Sequence, residues 1–241
     1  MDSAHILAEV RSALHSEPRF RRWRDVNVTL ESGALAIEGE VENVAIKRLL
    51  LERAAAHPGI KGIVDRLRIA PARRMGDGEI RDRLRDALLE EPAFMEVALY
   101  ERTAAIREPA RRRGDIRFRV DDGVVTLDGN APSLAHKRLA GVLAWWVPGT
   151  RDVVNGLDVS APEEDRDDEI TDAVRIALEK DPFVDASQVR VTTRNSVVTL
   201  DGVVPKEAER EMAEFDAWYV FGVDRVENRI EVHPGIPTGT A

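Results

Sequence analysis

The 241-residue sequence predicts an α+β fold made of three tandem αββαβ two-layer modules, each a three-stranded sheet with two helices on one face. The first observation is a repeated phrase that closes on glycine: Ala36-Ile37-Glu38-Gly39, Thr126-Leu127-Asp128-Gly129 and Thr199-Leu200-Asp201-Gly202. The second is a shared downstream spacing. Twenty residues after each anchor comes another glycine (Gly59, Gly149, Gly222), and eight further an aliphatic (Leu67, Leu157, Ile230). The third is a turn six residues before each anchor, at Ser32-Gly33, Asp122-Gly123 and Asn195-Ser196. Agreement without gaps at all these positions marks a triplicated unit.

Each module opens on a helix. Ile6, Val10, Ala13 and Leu14 lie on one helical face, as do Ile80, Leu84, Ala87, Leu88 and Ile170, Val174, Ala177, Leu178. A proline four residues after each last leucine (Pro18, Pro92, Pro182) ends the helix. Alternating apolar positions then flank the turn. Val26 and Val28 precede Leu35 and Ile37, Phe118 and Val120 precede Val125 and Leu127, and Val189 and Val191 precede Val198 and Leu200. Period two about a two-residue turn predicts a β-hairpin. Ser196 stands where the middle copy has Gly123, at a place that favours positive φ. A second helix is expected over about 43–57, 133–147 and 205–220, closing at Gly59, Gly149 and Gly222 as C-caps. The last strand carries Ile63, Leu67 and Ile69, then Val153, Leu157 and Val159, then Val226, Ile230 and Val232.

The expected modules are residues 1–71, 75–161 and 166–233, followed by a flexible tail over 234–241. The middle module carries about sixteen extra residues between its first helix and first strand. Modules of this size lie near the lower limit for an independent core, so docking between them is expected to add stability.

Composition narrows the function. The sequence has no cysteine, which removes disulfides, thiolate nucleophiles and Cys-ligated metals. It has no apolar run long enough for a membrane span and no signal-peptide core after Met1, so a soluble, cytoplasmic protein is expected, at most peripheral to a membrane. The five histidines are scattered, and nucleophile elbow, phosphate loop and dinucleotide fingerprints are absent. Gly59-Ile60-Lys61-Gly62 has the spacing of an RNA-clamping loop, but the sibling copies do not keep it, and a turn into the last strand is the expectation. No enzyme, metal or cofactor is expected.

The αββαβ order, the phrases Val124 to Gly129 and Val197 to Gly202, and the closing Val153 to Leu157 and Val226 to Ile230 together resemble the BON domain, named for bacterial osmotic-stress and nodulation proteins. The first module is more diverged, with Asp65 in place of Asn155 and Asn228. The resemblance implies a non-enzymatic binding module linked to phospholipid surfaces, envelope maintenance or osmotic stress. In some relatives it is paired with small-ligand or ion-sensing domains. At the Asp65, Asn155 and Asn228 position, hydrogen bonds to backbone of the nearby turn are expected.

Charge is graded along the chain. Residues 1–74 carry a net +3, residues 75–162 a net −2 and residues 163–241 a net −10. The positive end is concentrated at one topological place, the loop after the first helix. Module one has Arg19, Phe20, Arg21, Arg22, Trp23 and Arg24 there, module two has Arg107, Arg111, Arg112 and Arg113, and module three has Asp181 and Asp185. Arginine beside tryptophan suits an anionic lipid interface, whereas a pI of 5.2 argues against nucleic acid. Trp145-Trp146 and Trp218-Tyr219 occupy equivalent places on the second helices, where module one has alanines. Neighbouring helical residues point about 100° apart, so one ring of each pair is expected at a module or partner interface. The leading expectation is an adaptor associating weakly with anionic phospholipid under osmotic or envelope stress. The alternatives are a self-assembling or protein-binding scaffold and a small-ligand or ion sensor.

Overall fold

The computed structural model describes residues 3–15, 26–31, 34–71, 73–159 and 166–234. The chain divides into two compact units, Met1–Pro71 and Ala72–Ala241.

The first unit is one module. It runs α1 (Ser3–His15), β1 (Val26–Glu31), β2 (Ala34–Val41), α2 (Val44–Ala55) and β3 (Gly62–Ile69). The hairpin is antiparallel, with Val28 opposite Ile37, and β3 joins β2 in parallel, with Asp65 beside Ile37. The helical stripe Ile6, Val10 and Leu14 packs with Val28, Leu35, Ile37, Leu50, Ala54 and Leu67 into one core. Asn43 starts α2 by accepting from the Ile46 N–H at 2.9 Å, a side-chain N-cap. The helix stops at Ala55, earlier than Gly59, which is not in the left-handed region and packs on Ile6 and His57 instead of capping.

The second unit holds two modules. The middle one comprises α3 (Asp77–Glu90), β4 (Val97–Glu101), β5 (Ala104–Arg107), β6 (Gly114–Asp121), β7 (Val124–Ala131), α4 (Leu134–Trp146), β8 (Asp152–Asn155) and β9 (Asp158–Val159). The extra residues form the β4–β5 hairpin, and β4 extends the sheet by pairing in parallel with β6. The module thus keeps the αββαβ order and widens its sheet. Its last strand is broken into β8 and β9 at Gly156, whose N–H donates to Leu127 O. The third module comprises α5 (Asp167–Lys180), β10 (Val189–Arg194), β11 (Val197–Val204), α6 (Glu207–Tyr219) and β12 (Arg225–Val232), in the sheet order β10-β11-β12.

The anchor glycines have a steric reason. Gly129 lies opposite Ile116 at φ +117°, and a Cβ there would run into the backbone oxygen of Asp115. Gly202 stands in the same relation to Gln188. The β6–β7 and β10–β11 hairpins are further clamped by the aspartate that opens each module's first helix. Asp77 accepts from the N–H groups of Asp122 and Gly123 at 3.0 and 2.8 Å. Asp167 does the same for Asn195 and Ser196 at 2.7 and 2.9 Å.

Candidate functional site

In the second unit α4 packs against both α5 and α6, so the helical layers of two modules meet along a seam. Trp145 and Tyr219 stack across it, with ring centroids 5.2 Å apart and planes within 14°. Trp146, packed at the edge of the middle core, donates its indole N–H to Asp216 Oδ1 at 2.8 Å. Trp218, next to Tyr219 on α6, is 4% exposed. Both tryptophans of α4 thus engage α6, where the sequence predicts only one ring of the pair at the interface.

Arg138, on α4, is 2% exposed and donates from Nε to Phe221 O at 3.0 Å, with its guanidinium 4.0 Å from Glu169. Lys137 places its ammonium 4.3 Å from the Phe221 ring centre. At the far end of the seam Lys180 Nζ lies 3.0 Å from Glu91 Oε2. Two buried acids complete it. Asp181 follows α5 and Asp216 lies on α6, the latter with its pKa pushed up to about 8 by burial and by the like charge of Asp181, against the Trp146 hydrogen bond. Burial and the same acids raise the Tyr219 hydroxyl above the ordinary tyrosine range.

Between α4 and α5 the seam opens into a cavity of about 570 Å³. Its walls are apolar, with Leu139, Val142, Ala173 and Ile176, and charged groups such as Glu169 and Asp172 also line it. Such a volume and lining suit a small apolar ligand or a partner's side chains.

The basic residues singled out from sequence separate into distinct environments. Arg19, Phe20, Arg21, Arg22, Trp23 and Arg24 lie outside the described residues. Arg107 turns inward and donates to the carbonyls of Leu89 and Phe94, where burial lowers its pKa. It secures the inserted hairpin against the end of α3. Arg112 donates to Asp115 Oδ1 at 2.8 Å and rests with Arg117 on the Tyr100 ring. Arg113 sits 3.8 Å from Glu96, and Arg111 faces solvent. Two large apolar side chains stand out in the same loops. Met95, just after the turn that ends α3, is 67% exposed, and Phe183, just after α5, is 68% exposed.

The last-strand polar position has partners other than a turn. Asn155 Nδ2 donates to the α4 carbonyl of Lys137 at 2.8 Å, and Asn228 Nδ2 to the α6 carbonyl of Arg210 at 2.9 Å. Each Oδ1 also accepts from the N–H two residues along its own strand. The residue is a helix-to-strand staple.

Sequence reasoning passed over Asp216 and Arg138, and took Asp181 only as an acid of the loop after the first helix of module three. The signal for Asp216 was present: it shares the stripe of Ala213, Ala217 and Val220, where a carboxylate must be buried.

Among the described residues no helix is long and apolar enough to cross a membrane. The BON domain profile matches three times, at residues 2–71, 76–161 and 166–234. Osmotically-inducible protein Y of Escherichia coli (strain K12) is 32% identical over 123 residues, 48% of this chain and 61% of that protein. The match therefore spans less than two thirds of that relative's length. Among solved structures, the C-terminal domain of CdsD, a structural protein of the Type III secretion system of Chlamydia trachomatis, aligns over 97% of this chain and all of its own. Its identity is 15% and its TM-score 0.25. A second structure of CdsD gives 16% and 0.26, covering 96% of this chain and 94% of that one.

Proposed function

This chain belongs to the BON-domain family, and we propose that it is a non-enzymatic binding protein of the osmotic-stress response that docks weakly on anionic phospholipid surfaces. The contact is made by the loops that follow the first helix of each module. The observation that carries this reading is the exposure of Met95 and Phe183 at that one topological place in two modules whose other large apolar residues are mostly buried. The first module carries Phe20 and Trp23 among four arginines at the same point of its sequence. The name of the Escherichia coli relative supports the osmotic-stress setting.

The energetics favour a weak contact. Burying one such apolar side chain contributes about 1.5–3 kcal/mol, and each basic residue near an anionic surface roughly 1 kcal/mol. The net −10 of residues 163–241 opposes the approach. Binding is therefore expected to be reversible and sensitive to salt. Co-sedimentation with vesicles of anionic and of zwitterionic phospholipid tests it. Binding to anionic vesicles at low salt is expected, reduced by Met95→Ser with Phe183→Ser and abolished when Arg19, Arg21, Arg22 and Arg24 are also changed to Gln. Absence of binding, or binding indifferent to these changes, overturns the reading.

The cavity between α4 and α5 favours a second reading, a scaffold or sensor that captures an apolar group at the seam. A ligand screen by thermal shift, with Ile176→Lys as the blocked control, tests it, because a ligand that binds only the folded state raises its melting temperature.

A further inference from the structure

One face of α5 differs from its counterparts in the other modules. By the shared helical stripe, Ala173 and Ile176 correspond to Arg83 and Asp86 of α3 and to Glu9 and Ser12 of α1, all four exposed. The module fold therefore asks for nothing apolar at these positions. Packing on α4 does not account for the change either, because Ile176 remains 43% exposed. Ala173, Ile176 and Ala177 instead line the cavity of about 570 Å³, together with Leu139 and Val142 of α4.

The lining defines a trough. On α5 it follows one helical stripe from Glu169 to Lys180, a length of about 16 Å. The volume spread over that length leaves a cross-section of about 35 Å². A partner's helix, about 10–12 Å across, is too thick for it. A single side chain entering crosswise fills only part of its length. An unbranched carbon chain matches both dimensions: extended, it advances about 1.25 Å per bond, so about twelve carbons span the trough.

The two ends differ in charge. At one, Glu169 lies by Arg138, whose Nε donates to Phe221 O, and Asp172 stands one residue short of Ala173. At the other, Lys180 Nζ meets Glu91 Oε2 at 3.0 Å, and Ala93 joins the wall. Met95 is two residues beyond Ala93 and Phe183 three beyond Lys180, so the exposed side chains of both loops belong to the turns at this end. Lys180 has three N–H donors, of which Glu91 takes one. An anionic head is attracted here and repelled by the acids of the far end.

We infer that the trough between α4 and α5 holds the hydrocarbon chain of a single-chain anionic amphiphile, with the head at Lys180. The inference rests on the reading of the cavity as a ligand site, narrows it to one shape of ligand, and does not require vesicle docking.

Calorimetric titration of the full chain with straight-chain carboxylates of about six to about fourteen carbons, each below its micellar concentration, tests it. Affinity is expected to rise about threefold to fourfold per added methylene and to level off near about twelve carbons, where the trough ends. Lysophosphatidylglycerol of the same chain length separates the sources: tighter binding than the carboxylate assigns the head to a lipid, weaker binding to a free acid. Adamantane-1-carboxylate, of equal charge but compact, is expected to bind at least about tenfold more weakly than the chain of matching carbon count. Ala173→Leu fills the trough and should lower affinity for the longest chains about tenfold or more, with vesicle co-sedimentation unchanged. Lys180→Gln should weaken the carboxylates about threefold and leave an alcohol of the same length unaffected. Affinity independent of chain length overturns the inference. So does a cage that binds as tightly as the chains, although the cavity then remains a ligand site. A dimer that Ala173→Leu dissolves assigns the trough to a second copy and overturns it as well. The wild-type length series decides even where Ala173→Leu does not fold.

Discussion

Lys47 and Asp65 form, inside the first module, an ion pair that does the work of an asparagine in its siblings. Lys47 Nζ lies 3.0 Å from Asp65 Oδ2 and donates to Leu67 O at 2.9 Å, while Asp65 Oδ1 accepts from the Leu67 N–H. Asn155 and Asn228 make the equivalent link by donating from their own amides to the helix backbone. Aspartate has no N–H to give, so the lysine one helix away turns inward, its side chain 5% exposed, and supplies the donor.

Asp65→Asn is therefore expected to destabilise the first unit although it restores the sequence of the other copies. It takes the Asp65 carboxylate away from the buried ammonium, at a cost of about 2 kcal/mol, below the usual range for a broken buried pair because Asp65 is 33% exposed. Lys47→Met combined with Asp65→Asn should recover most of the loss. Urea unfolding of the four proteins of the cycle checks both statements.

The aspartates that open α3 and α5 hold their hairpins from outside the sheet. Asp77→Ala removes the acceptor for two N–H groups of the Asp122-Gly123 turn. It should cost about 1.5 kcal/mol, the lower end for hydrogen bonds to a charged group. Asp167→Ala should behave alike. Amide exchange at Gly123 and Ser196 is the direct measurement, with faster exchange expected in each variant at its own turn.

Ser196 adopts φ +60° at the turn between β10 and β11, where the middle copy has Gly123 at φ +72°. Ser196→Gly should stabilise the second unit by about 1 kcal/mol, the usual penalty for a side chain in the left-handed region. At this size that is roughly 2–4 °C in melting temperature. A lower melting temperature would show that the Ser196 side chain contributes more than its backbone strain costs.

The Trp145–Tyr219 stack should contribute coupling beyond the area it covers. A double-mutant cycle with Trp145→Ala and Tyr219→Ala is expected to give about 1 kcal/mol of interaction, as for other aromatic pairs. Additive single effects would mean that the rings share a surface without attracting each other.

Much of the fold was legible because it is written three times. A period of two about Asp122-Gly123 and a stripe at Ile170, Val174, Ala177 and Leu178 are local patterns, and repetition separated them from chance. The inserted residues of the middle module were not legible as a hairpin. They have no second copy, and Arg102-Thr103 is a turn without glycine in which Arg102 takes φ +54°. The arginines of that insertion illustrate the same limit at the site. Arg107 and Arg112 read alike in sequence, yet one supports the backbone beneath the hairpin and the other lies against Tyr100 and Asp115 on the outer surface.

From the sequence alone came the module, its number, its strand order and the place where the copies differ in charge, because propensity, periodicity and turn chemistry act over a few residues. Tertiary structure decided which copies share a seam and which charges survive there. That Trp146 meets Asp216, 70 residues away, depends on how two helical layers pack. The consequence for the acid arises from the loss of water around it, a property of the assembled pair that neither helix carries by itself.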